Sequence, residues 1–398
     1  MTELATTPNA SELWAQVKQL RNEGRPLQAL RLLDSLCEAN PKEFRYALCM
    51  AEILTDQGRL EAAGPFAQRA RQIGATDPKS AEVLDRLALR LELLRREQAG
   101  DFAGLIGRYH EAVRTTPSTV RRIEDWAPII NRAGHAIWAK AGERVGDQAA
   151  AIIAEVRDRG IAVRSFDEIV AAPPLLEDLR TVVRTTQDWS VPGKPHFFKA
   201  MKEEDTAVWH PIMKVGLHPS LLEIANGFYG LYTRLVSANI VLTKTDAAAE
   251  RQRQGSEGWH RDPEDTPMFK IFIYLNDVLE IGDGPFQYIP GSRPGGKYEY
   301  LMPRFGRGVY DPTYKTKPDW AQADQEIASG DVVTVLGRAG TIFFADTSAF
   351  HRGGYCTLKD RHMAAYVYQR PASQFPSYIR AIPDPEASQA ARQALTPL

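Results

Sequence analysis

Two hydrophobic periods divide the chain. Before residue 159, apolar positions recur three and four apart, as in AEVLDRLALRLELL and DQAAAIIAEVRDRG, and the first hundred residues carry no strand signal. That spacing predicts helices. From Gly160 the pattern changes to short β-rich runs: GIAVRSF, LVSANIVLT, FKIFIYLNDV, PFQYIPGS, GDVVTVL, GTIFFAD and HMAAYVYQR. Turn segments such as PGSRPGGK, ASGD and GRAG break them, and loops rather than helices connect them, so an antiparallel barrel or sandwich is expected and a parallel sheet is not. A polar segment at 293–320 follows neither period. Long loops of this kind often act as lids or binding loops. The expected fold class is α+β, with a helical region over 1–150 and a β domain over 151–398.

The helical region matches itself at a fixed offset. Gly24 and Gly58 lie 34 residues apart, and the same offset relates Trp14 to Leu48, Val17 to Ala51, Leu20 to Leu54 and Ala29 to Ala63. Each glycine falls where a tight turn is expected (RNEGRPLQAL, TDQGRLEAAG), and Pro41 and Pro78 stand near the ends of second helices. This resembles two tetratricopeptide-type repeats. The second unit runs three residues longer before its proline, and Gly100 lies off the period, so the array is short. Two repeats cannot bury their own faces and need the helices of 79–158 to cover them. A helical brace for the β domain is the favoured role. A groove for a peptide or partner is the alternative, and it usually requires more repeats.

Composition narrows the function classes. The 398 residues are 43% hydrophobic and 25% charged, which suits a globular chain with a substantial core. Their 49 basic and 50 acidic side chains leave a net charge of -1, so neither nucleic acid nor an anionic membrane is an expected partner. No stretch approaches the apolar length of a membrane span, and MTELATTPNASELW lacks the basic and apolar regions of a secretory signal. A cytoplasmic location is expected. Cys37, Cys49 and Cys356 are too few and too scattered for a disulfide framework or a thiolate metal site, which fits a reducing compartment.

The chemistry concentrates in two short stretches. GWHRD sets His260 and Asp262 two apart, so on a strand both face one way, and His351 follows 91 residues later at the end of another strand. Eight histidines and 50 acidic residues in 398 give about one such His-x-acid pair by chance, so context must decide. Two imidazoles and a carboxylate can occupy one face of an octahedral metal and leave three positions open, as in non-haem Fe(II) oxygenases. Arg361, ten residues beyond His351, brings a guanidinium whose fork of donors suits a dicarboxylate co-substrate. His110, His135, His196, His210, His218 and His362 have no spacing that recommends them as ligands. Arg261 should point away from the ligand face, Trp259 and Tyr274 read first as packing residues, and Asn239, Lys244 and Lys270 are polar candidates for a strand's inner face.

Residues 155–372 resemble the phytanoyl-CoA dioxygenase family of Fe(II)- and 2-oxoglutarate-dependent oxygenases. The resemblance rests on RDRGIAVRSF, WHRD, FIYLNDVLEIGDGPFQYIPGS, GDVVTVLGRAGTIFFAD and HRGGYCTLKDR. It implies a double-stranded β-helix, or jelly roll, with iron held by His260, Asp262 and His351 and the far carboxylate of 2-oxoglutarate on Arg361. Members of the family often carry a hydroxyl residue two positions after the distal histidine, where this chain has Gly353, so Thr243 or Thr357 is expected to partner Arg361 instead. Retention of Asp262 disfavours the halogenases, which replace that carboxylate. The implied reaction consumes O2 and 2-oxoglutarate, releases succinate and CO2, and hydroxylates or otherwise oxidises an unactivated carbon. The substrate would be a small molecule, with a peptide or carrier-bound compound as the other possibility. Two other readings remain: a peptide-binding helical scaffold with a catalytically silent jelly roll, and a cupin-like metalloenzyme without an oxo-acid.

Overall fold

The computed structural model describes residues 9–74, 77–186, 197–199, 207–245, 255–262, 265, 267–293, 295–301, 320–375, 377, 379, 381 and 386–395. They fall into two compact units, Met1–Arg121 and Arg122–Leu398.

Among the described residues, the first unit holds six helices: α1 (Ala10–Asn22), α2 (Pro26–Ala39), α3 (Phe44–Asp56), α4 (Leu60–Gly74), α5 (Pro78–Gln98) and α6 (Phe102–Thr115). Asn9 and Glu12 start α1 with reciprocal side-chain-to-backbone bonds, a capping box. Gly24 and Gly58 both sit at φ +69°, a left-handed turn that favours glycine, and each connects one helix to the next. Successive helices pack in chain order, α1 on α2 through to α5 on α6. The residues related by the 34-residue offset do the packing: Val17, Ala29, Ala51 and Ala63 are all fully buried in the shared core, along with Leu33, Leu54 and Leu91. Small side chains there let helix backbones approach.

The second unit opens with α7 (Ile123–Ala141) and α8 (Asp147–Arg159), so the division between units falls ahead of both helices rather than at residue 150. Helix α8 lays Ala149, Ile152, Ile153 and Val156 into the main core of this unit. The guanidinium of Arg293 closes its C-terminal end, donating to the carbonyls of Val156, Arg157 and Asp158. Strand β1 (Ile161–Ser165) follows, then α9 (Phe166–Val170), α10 (Pro173–Thr185), β2 (Phe197–Lys199), α11 (Pro211–Gly216) and α12 (Pro219–Tyr229). His210 and His218 cap the last two helices, each Nδ1 accepting from a backbone N–H two residues on. They are structural caps.

Among the described residues, seven further strands form two antiparallel sheets with β1 and β2: β3 (Arg234–Thr243), β4 (Phe269–Tyr274), β5 (Phe286–Tyr288), β6 (Val333–Val335), β7 (Thr341–Asp346), β8 (His351–Gly353) and β9 (Arg361–Gln369). The large sheet runs β1-β7-β4-β9-β3-β2 and the small one β6-β5-β8. Their central strands are apolar on both faces, as expected of a buried sheet. In β4, Phe269, Ile271 and Ile273 join the helices' core, while Phe272 and Tyr274 face the small sheet. Phe343 of β7, Met363 of β9 and Phe286 and Tyr288 of β5 complete that second layer. A sandwich with helices on its outer face results. Among the described residues no helix is long and apolar enough to cross a membrane.

Candidate metal centre

The two stretches meet through the backbone. His260 and His351 lie directly opposite each other in an isolated antiparallel bridge, with N–H to carbonyl bonds of 3.0 and 2.9 Å exchanged both ways. Opposed residues share a face, so the two imidazoles come to 4.2 Å between ring centroids. Asp262 donates its N–H to the Thr347 carbonyl at 2.9 Å, which ties the WHRD stretch to the DTSAFH turn along its length. One ligand atom from each of His260, Asp262 and His351 lies within 4.8 Å of the others, and this cluster can hold a metal ion.

The histidine tautomers suit that role. His260 Nδ1 lies 2.9 Å from the Gly258 carbonyl and His351 Nδ1 3.0 Å from the Ala349 carbonyl. A carbonyl only accepts, so each Nδ1 carries the proton and each Nε2 keeps its lone pair. Burial, reinforced by the neighbouring His351, pushes the His260 pKa down to about 3, so the ring is neutral at ordinary pH. For Asp262, burial works to raise the pKa, but the Lys270 ammonium and His351 hold it well below the usual carboxylate range. Two imidazoles that turn Nε2 toward the cluster and one anionic oxygen form a donor set suited to a divalent ion that accepts nitrogen and oxygen ligands.

Arg361 is buried at the start of β9. Its Nη2 donates to the Thr243 hydroxyl at 3.0 Å, and its Nη1 donates to the Gly284 carbonyl. Thr243 sits opposite Arg361 in the β3–β9 register, which explains the pairing; the Thr357 hydroxyl turns to the Gly282 carbonyl instead. A Cβ built on Gly353 would stand 2.9 Å from Arg361 Nη2, so the guanidinium occupies the space a side chain there would need. Gly353 and His351 are two residues apart on β8, roughly 6.6 Å along one strand face.

The remaining candidates sort by contact. Lys270 Nζ reaches Asp262 Oδ2 at 2.7 Å. Arg261, expected on the opposite face from the ligands, is buried, at 1% exposure. The Trp259 indole donates to Asp324 at 2.9 Å and lies under the Arg352 guanidinium, in a cluster with Ile289, Tyr298 and Phe350. The Tyr274 hydroxyl donates to the Val335 carbonyl and accepts from the Phe286 N–H, joining the two sheets. Asn239 accepts from its neighbour's N–H, His135 binds the Gly230 carbonyl, and neither belongs to the cluster. Of the polar segment at 293–320, Tyr298 and Leu301 pack beside Trp259, whereas 302–319 lie outside the described residues, as does His196. Cavities of about 300 and 310 Å³ flank Gln287 and Arg352, residues that alternate with Tyr288 and His351 and so face away from the cluster.

One contributor went unread in the sequence. Asp346 Oδ1 accepts from the Ser348 N–H and hydroxyl and from the Met268 N–H, at 3.1, 2.6 and 3.0 Å. It folds the turn that delivers His351 and pins it to the start of β4. The signal was present in Asp-Thr-Ser, a sequence prone to side-chain-to-backbone turns.

No family model matches the chain, and no curated protein matches it either. Solved structures do. The epimerase SnoN in complex with Fe3+, alpha ketoglutarate and nogalamycin RO aligns at 20% identity over 56% of this chain and 83% of that one, with a TM-score of 0.38. HygX from Streptomyces hygroscopicus with nickel and 2-oxoglutarate bound aligns at 16% identity over 56% and 87%, at 0.37. EvdO2 from Micromonospora carbonacea var. aurantiaca aligns at 18% over 57% and 92%, at 0.40.

Proposed function

We propose that the chain is an Fe(II)- and 2-oxoglutarate-dependent oxygenase whose sandwich is a double-stranded β-helix of the phytanoyl-CoA dioxygenase type. One observation carries the reading: two imidazoles whose Nδ1 protons are held by backbone carbonyls converge with a carboxylate, and a buried guanidinium packs against Gly353, two positions beyond His351 on its strand.

In this reading His260, Asp262 and His351 hold iron, and Arg361, steadied by Thr243 and the Gly284 carbonyl, grips the far carboxylate of 2-oxoglutarate. Iron with its oxo-acid supplies the oxidising power, consuming O2 and releasing succinate and CO2 while a substrate carbon is hydroxylated. The protein's residues do the rest. The carbonyls of Gly258 and Ala349 lock the imidazole tautomers. Phe272, Phe286 and Phe343, with ring centroids 5.0 to 5.2 Å apart, wall the layer beneath His351 and exclude water from it. The substrate is a small organic molecule, and the helical unit is tetratricopeptide-like.

Anaerobically purified protein supplied with Fe(II), O2 and 2-oxoglutarate tests the reading. Succinate should form, and His260→Ala should abolish it. Equal succinate from both proteins, or none from either across a range of candidate substrates, contradicts it.

A further inference from the structure

Strand β4 reads Phe-Lys-Ile-Phe-Ile-Tyr, and Lys270 is its one charged residue. The side chain shares the inner face of the strand with Phe272 and Tyr274, and only 15% of it is exposed. Placing an ammonium there costs desolvation unless an anion answers it. The answering anion is Asp262 Oδ2 at 2.7 Å, and that same oxygen lies 3.4 Å from His351 Nε2. Lys270 thus pairs with the oxygen that faces the other ligands, where a divalent ion would also seek its charge.

The fixed charges around the cluster set a condition on metal binding. Asp262 and Lys270 answer each other as an ion pair, so a divalent ion that takes the same Asp262 oxygen leaves the Lys270 ammonium beside it unanswered, in a site with little water to screen it. A dicarboxylate supplies the missing anion. Metal without oxo-acid is therefore opposed, and metal with oxo-acid is not. Building on the oxygenase reading, we propose that Lys270 makes metal binding conditional on the dicarboxylate, yielding Asp262 to the metal only when an incoming carboxylate can receive its ammonium. Lys270 is then a positioning residue that links two ligands.

Equilibrium titration with Mn(II), which needs no turnover, tests this with and without 2-oxoglutarate. In the wild type 2-oxoglutarate should tighten Mn(II) binding strongly. Lys270→Met should bind Mn(II) alone about tenfold more tightly than the wild type and lose about tenfold of the gain from 2-oxoglutarate, within the usual range of coupling between sites. Lys270→Arg, which keeps the charge, should retain the wild-type coupling and guards against a Lys270→Met variant that fails to fold. Unchanged Mn(II) affinity and unchanged coupling in Lys270→Met overturn the inference, as does loss of coupling in Lys270→Arg. His260→Ala separates the two claims: if it binds Mn(II) as the wild type does, the oxygenase reading itself falls.

Discussion

At Gly353 the missing side chain is what lets Arg361 lie where it does, because a Cβ would stand 2.9 Å from its Nη2. Gly353→Ser should push the guanidinium aside and weaken 2-oxoglutarate binding by about tenfold while leaving metal stoichiometry intact. Thr243→Val removes the 3.0 Å bond that aims the same group and should weaken it to a similar degree, at a rough cost of 1.5 kcal/mol for a hydrogen bond to a charged group. Isothermal titration of the metal-loaded variants checks both. A serine at 353 that strengthens binding would show that Arg361 is gripped from elsewhere. The sequence pointed to Arg361 through its distance from His351, and to Thr243 or Thr357 through the departure at Gly353. Only strand register chooses between the threonines, because it sets Thr243 opposite Arg361 while Thr357 lies in a turn. Lys270 could be read as a polar residue in an apolar run, but its partner Asp262 lies beyond the strand and could not.

Among elements, β4 and β7 were legible because aromatic and β-branched residues fill both of their faces, and β9 because Ala364, Tyr366 and Tyr368 line one of its faces. The small sheet was harder to read, since β5, β6 and β8 have three residues each and owe their pairing to contacts far away in sequence. The turn between β7 and β8 shows the limit most clearly. His351 was visible, whereas the Asp346 carboxylate that shapes its approach is revealed only by its three hydrogen bonds. Asp346→Ala should leave one metal per chain but weaken its affinity roughly ten- to a hundredfold, as loss of a supporting shell does. Metal titration followed against Asp346→Asn, which keeps an accepting oxygen, checks this; equal affinities in the wild type and Asp346→Ala would contradict it.

For the whole molecule, the place where the chain divides matters more than the number of helices. Helical spacing continues through 158, and nothing in that pattern says which helices belong to the sheets, so the expected boundary at 150 and the observed division after Arg121 differ. Helix α8 puts four apolar side chains into the main core, and α7 sets Trp138 edge-on to Tyr232 with ring centroids 5.0 Å apart. A chain starting at residue 122 should therefore fold and keep the metal site, and one starting at 151 should be insoluble or unfolded by circular dichroism. Stable folding of the shorter fragment would show that α7 is dispensable. The most direct measurement of the central claim is anaerobic equilibrium dialysis against Fe(II) in the presence of 2-oxoglutarate. One iron per chain is expected in the wild type and none in His260→Ala or His351→Ala, with the fold of each variant confirmed. Iron retained by those variants, or none bound by the wild type, would contradict it.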